Sequence, residues 1–153
     1  NRHRDFEINI THYLRNAFSK ADVIHTGQKI RADKTKTRHN FADVLYHSSD
    51  HSVVLIDAKS LSGKSEYKYG ANESGKSEDY AKYSHEIFPH SQDKQKCFVI
   101  ISPRFSEKAF EHASDSEKRT KVPFKLVDIN ELIELVDNSR NNDIKFVSDI
   151  LAH

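Results

Sequence analysis

Apolar and polar residues succeed one another along this chain at spacings that predict its elements in order. Phe6, Ile10, Tyr13, Leu14, Ala17 and Phe18 share one face at about 100° per residue, so residues 5–20 are expected to form an amphipathic helix. Residues 23–25 are a short strand candidate. Two apolar segments follow, residues 41–46 and 53–59, joined by the polar turn Ser48-Ser49-Asp50-His51, and they read as a hairpin. Tyr80, Ala81, Tyr83, Ser84, Ile87 and Phe88 recur at helical spacing over residues 77–88, up to Pro89. The stretch around Gly63, Gly70 and Gly75 shows no convincing element. Residues 97–101 are apolar on both faces, as in a central strand, and Pro103 ends it. Next come a helix over 106–118 with Ala109, Phe110 and Ala113 inward, and a strand over 122–127. Asp128 with Glu131 three residues later is a helix-start signature. Leu132, Ile133, Leu135 and Val136 would then cover the sheet, and Ile144, Phe146, Val147, Ile150 and Leu151 would line a last helix. The order predicts an α/β fold with a mixed sheet flanked by helices on both faces.

A length of 153 residues implies one domain, residues 1–153. The longest apolar runs, residues 53–56 and 97–101, are far too short to cross a bilayer, and no signal-like segment follows Asn1, so a cytoplasmic protein is expected. Cys97 is the single cysteine and lies in an apolar strand, which suits a core residue in a reducing compartment. The chain begins at Asn1 and contains no methionine, as a piece excised from a longer chain would.

Net charge is +1, too small for nucleic-acid binding by overall charge alone. Its distribution is uneven: Lys29, Arg31, Lys34, Lys36 and Arg38 cluster upstream of Asp43, while Lys64, Lys68 and Lys76 follow Lys59. Such clusters suit contacts to a phosphate backbone; the bland alternative is a solvated run of charge. No glycine-rich phosphate loop or nucleophile elbow is present, which removes kinase, GTPase and serine hydrolase chemistry.

Chemistry concentrates at one end of the hairpin. Alternation puts Val53, Leu55, Asp57 and Lys59 on one face and Val54, Ile56 and Ala58 on the other, so an acid and an amine emerge together near Asp43. Two close carboxylates collect a divalent metal, and a neighbouring ammonium can orient or activate a water beside a phosphate. An acid followed two positions later by lysine occurs three times, but Glu66/Lys68 and Asp143/Lys145 lie in polar or helical settings and read as solvated surface pairs. Only Asp57-Ala58-Lys59 ends an apolar strand, where charge is costly unless paired. Glu7 falls within the apolar arc of the first helix: it is a candidate accessory acid, although a helix-start acid reaching solvent is the preferred reading. His47 and His51 flank the hairpin turn, but the turn is not helical and no zincin glutamate follows. His39-Asn40 lacks a metal-binding helix, so histidine-metal catalysis is not favoured.

The element order, Asp43 on the second strand and residues 56–63 reading Ile-Asp-Ala-Lys-Ser-Leu-Ser-Gly resemble the PD-(D/E)xK nuclease superfamily. Within it the chain is most similar to the cleavage domain of FokI-type, type IIS restriction endonucleases, through residues 56–63, 76–83, 97–102 and 127–133. The resemblance implies a restriction-endonuclease-like fold in which Asp43 and Asp57 bind Mg²⁺, with Mn²⁺ able to substitute, and Lys59 assists the attacking water. The backbone carbonyl of Ala58 is a further candidate ligand. It also implies double-stranded DNA as substrate, a homodimer or second nuclease domain for cutting both strands, and an upstream DNA-recognition domain. Ala42 replaces the family's proline, residues 63–75 form a longer segment than usual, and Lys76 stands where closer relatives tend to carry glutamine. Two alternatives remain: a non-catalytic nucleic-acid-binding or subunit-interaction module, and a structure-specific nuclease such as a junction resolvase.

Overall fold

The computed structural model describes residues 2–26, 42–61 and 63–153. The basic cluster Lys29, Arg31, Lys34, Lys36 and Arg38 lies outside the described residues. The elements are α1 (Arg2–Ala17), β1 (Asp22–His25), β2 (Val44–His47), β3 (Ser52–Ala58) and α2 (Ala71–Tyr83) with a 3-10 turn over Ser84–Ile87. They continue with β4 (Lys94–Ser102), α3 (Glu107–Thr120), β5 (Phe124–Asp128), α4 (Ile129–Ser139) and α5 (Asp143–Leu151). The five strands lie in sequence order in one sheet. β1, β2 and β3 pair antiparallel, and β3, β4 and β5 pair parallel. This is the mixed α/β sheet of a restriction-endonuclease-like fold.

The strands form here because β2, β3 and most of β4 are apolar on both faces, and helices cover each face. On one side Val44, Tyr46, Val54, Ile56, Val99 and Ile101 pack against α1, α4 and α5 through residues such as Leu14, Val136 and Phe146. On the other, Leu45, Val53, Leu55, Phe98 and Ile100 meet α2 and α3 through Ala81, Ala109 and Ala113. The two sets divide β3 as strand alternation requires. Each fully buried Val, Leu or Ile contributes roughly 1.5–3 kcal/mol, so β3, buried along its whole length, is the best-anchored strand.

Four sequence expectations are corrected. First, α2 begins at Ala71, in the stretch that showed no element. Glu73 reaches back to the Gly70 N–H (3.3 Å), and small residues, Ser74, Ser77 and Ala81, form its buried stripe, so no large apolar period marked its first turns. Second, Phe110 is 55% exposed, because α3 also packs by small residues, Ala109, Ala113 and Ser116, which turns position 110 outward against Phe105. Third, Ile133, Ile144 and Leu151 are exposed too; α4 and α5 bury narrower stripes than the sequence suggested. Fourth, Asp143 is not a surface partner of Lys145. It is buried and accepts hydrogen bonds from Ser49 N–H (2.7 Å) and Ser48 Oγ (3.1 Å), tying α5 to the hairpin turn, while Lys145 pairs with Asp149. The Asp128–Glu131 helix start forms as expected, with Glu131 N–H donating to Asp128 Oδ1 at 2.8 Å. No helix among the described residues is long and apolar enough to cross a membrane.

Candidate active site

Hairpin register decides where the charged residues meet. Val44 pairs with Ile56, so Asp43, one step earlier, stands across from Asp57, one step later. The Asp43 N–H donates to Asp57 Oδ1 (3.3 Å), and the Ala58 N–H donates to Asp43 Oδ2 (2.9 Å). Lys59 follows β3 directly; its N–H donates to the Ile101 carbonyl (2.8 Å), which fixes the root of its side chain to β4. Its Nζ lies 3.9 Å from Asp57 Oδ2. The structure therefore brings Asp43, Asp57 and Lys59 together at one end of the sheet.

Electrostatics at this end are unbalanced. Burial raises the Asp43 carboxyl to about 8, helped by the charges of Asp57 and Glu7 and opposed by Lys59 and the Ala58 N–H. Asp57 is also raised, again chiefly by burial, although Lys59, the Asp43 N–H and the Ser77 hydroxyl of α2 all favour its ionised form. Burial would lower Lys59, but Asp57 and Asp43 outweigh it and hold the amine protonated. One ammonium facing two buried acids cannot neutralise both once they ionise. An all-oxygen donor set short of positive charge fits a hard divalent cation such as Mg²⁺, for which Asp43 and Asp57 supply the carboxylates.

Glu7 departs from the preferred sequence reading. Instead of reaching solvent past the helix start, it is 18% exposed, faces His25 Nε2 at 3.0 Å, and its charge acts on both Asp43 and Asp57. Its position within the apolar arc of α1 was the usable signal. His25, buried beside Glu7 at the end of β1, was missed by the sequence reading, and its Nδ1 has no hydrogen-bond partner among the described residues.

A cleft of about 660 Å³ opens beside Lys59 and is lined by Lys64, Lys68, Tyr67, Glu73 and His3 among others. Burial raises the Tyr67 hydroxyl, so it stays a neutral donor next to the Lys59 charge. Lys64 thus borders the site; Lys76 is exposed on α2 and does not line this cleft. At the far end of the hairpin, His47, His51 and Asp93 converge with ligand atoms within 4.8 Å of one another. Asp93 was not singled out from the sequence, because 42 residues separate it from His51.

The chain matches the model of a family described as "FokI, cleavage domain" over residues 1–151. No curated protein and no solved structure matches it.

Proposed function

Because the chain belongs to the FokI cleavage-domain family, a family of restriction-type DNA endonucleases, we propose that it is an Mg²⁺-dependent endonuclease hydrolysing DNA phosphodiester bonds, the cleavage part of a type IIS-like restriction enzyme. The observation that carries this reading is the meeting of Asp43, Asp57 and Lys59 at a buried strand end with too few positive charges. Asp43 and Asp57 would hold the cation, with the Ala58 carbonyl as a further ligand. When bound, such an ion neutralises charge at the phosphate and makes a nearby water more acidic. Lys59, kept protonated by its acidic neighbours, acts as a donor: it orients the attacking water and faces the developing phosphate charge. Glu7, held by His25, reinforces the negative field that attracts the ion. Lys64 and Lys68 offer cationic contacts along the neighbouring cleft, where they would position the DNA backbone. Lys76 and the basic cluster Lys29, Arg31, Lys34, Lys36 and Arg38 are proposed as further backbone contacts.

One such centre cuts one strand, so double-strand cleavage calls for a homodimer or a second nuclease domain, and target choice for an upstream recognition domain. Supercoiled plasmid incubated with Mg²⁺, Mn²⁺ or EDTA tests the reading. Nicking or linearisation that EDTA abolishes is expected; salt-sensitive binding with no metal-dependent product would identify a non-catalytic module instead.

A further inference from the structure

The end of the hairpin opposite the carboxylates carries a different set of donors. His47, the last residue of β2, is buried, and its Nε2 lies 2.7 Å from Asp93 Oδ1. His51, in the turn, brings its Nδ1 to 3.1 Å from the same oxygen. The Asp93 side chain is 0% exposed. The turn is held in place: His51 adopts φ 68°, its N–H donates to the Ser48 carbonyl (3.0 Å) and its carbonyl accepts from the Lys94 N–H (2.9 Å).

We propose that His47, His51 and Asp93 form a second metal site, selective for Zn²⁺ and similar borderline transition ions, independent of the carboxylate centre. Two imidazole nitrogens and one carboxylate oxygen are a zinc donor set, and imidazole favours Zn²⁺, Co²⁺ or Ni²⁺ over Mg²⁺. Ligand atoms around a tetrahedral zinc stand about 3.3 Å apart, given Zn–N near 2.0–2.1 Å. Contacts of 2.7 and 3.1 Å would open by about 0.6 and 0.2 Å as the ion enters between the rings and Asp93, each neutral imidazole carrying its proton on the ring nitrogen away from the metal.

Each ligand also has a contact at its far side, as metal ligands usually do. Asp93 Oδ2 accepts the His90 N–H (2.9 Å), Gln92 Nε2 lies 3.4 Å from His51 Nε2, and Asp22 Oδ2 sits 3.9 Å from His47 Nδ1. The His90 ring lies 5.5 and 5.4 Å from those of His47 and His51 and is a candidate donor for the fourth position. Bound zinc would pin the β2–β3 turn to the segment entering β4, stabilising the hairpin from the end away from Asp57.

The test titrates ZnCl₂ into the Asp43→Ala/Asp57→Ala double variant by calorimetry, with Co²⁺ absorption as a second readout. One zinc per chain and a cobalt spectrum of tetrahedral type are expected. His51→Ala in that background, folded by circular dichroism, should weaken zinc affinity at least about tenfold. Asp93→Asn should do the same. Absence of zinc binding in the double variant would overturn the proposal, and so would zinc affinity unchanged by His51→Ala. Cleavage of DNA plays no part in this readout, so failure here leaves the proposed nuclease reading standing.

Discussion

The two ends of one hairpin handle a buried carboxylate in opposite ways. Near Ala58, Asp43 and Asp57 crowd each other, and their hydrogen bonds do not offset burial, so both carboxyls rise above their ordinary range. Near His51, Asp93 also suffers from burial, but the His90 N–H and the His47 and His51 side chains outweigh it and hold the carboxyl below its ordinary range. The strands between the ends are uniformly buried, so the scaffold is the same; what differs is how many donors each acid receives. A carboxylate short of donors costs stability while no cation joins it, whereas one rich in donors locks a turn even without a metal. Along β3, from Ser52 to Ala58, the two ends are about 20 Å apart at roughly 3.3 Å per residue, far enough to be altered separately.

The comparison can be broken at either end. The largest effect is expected for Lys59→Ala and Asp43→Ala, which should lower plasmid nicking by at least about a thousandfold, the scale of several kcal/mol of lost transition-state stabilisation. Initial rates under saturating Mg²⁺ measure it. Next, Asp93→Asn should destabilise the fold by about 2 kcal/mol, since it disturbs three donor contacts to a buried acceptor. Urea unfolding at neutral pH reads this directly.

At the other end the sign reverses. Above about pH 8, where Asp43 too is ionised in the metal-free protein, Asp57→Asn removes one of two repelling charges and should stabilise the fold by about 1–2 kcal/mol, raising Tm by roughly 2–8 °C. A pH series separates the ends further. Native Asp43 holds a proton up to about 8, so between its ordinary 3.8 and that value the folded state binds more protons than the unfolded one. Metal-free stability from this group therefore falls as pH rises, and Mg²⁺ should stabilise the protein at pH 8 far more than at pH 5. Asp93, being lowered, contributes stability above its ordinary value and loses it only in stronger acid. The smallest effect is expected for Glu7→Gln, about a tenfold loss of cleavage, the low side of what a supporting group near a metal contributes. An unchanged rate for that variant would leave Glu7 with no part beyond α1 packing.

Legibility in the sequence followed the range of the interactions. Strand alternation within residues 53–59 and one short turn suffice to bring Asp57 and Lys59 to Asp43, so that constellation could be read locally. The strands over 97–101 and 122–127 were legible from their apolar residues, whereas their parallel pairing and register came only with the structure. What escaped depended on distant partners. Asp143 became a buried acceptor only because α5 docks on the turn. Asp93 gained its histidines through β3–β4 pairing, and Glu7 turned inward because β1 places His25 beside it. α2 and the inward side of α3 were hard to read because both pack by Ser and Ala, which leave no hydrophobic period.

Metal-titrated nicking of supercoiled DNA by the wild-type protein and by Asp57→Ala, with matched circular dichroism spectra, tests the role of the carboxylate end most directly. Cutting is expected to rise with Mg²⁺ or Mn²⁺ in the wild type and to be lost in the variant. Equal cutting by the two proteins would contradict a metal-binding role for Asp57.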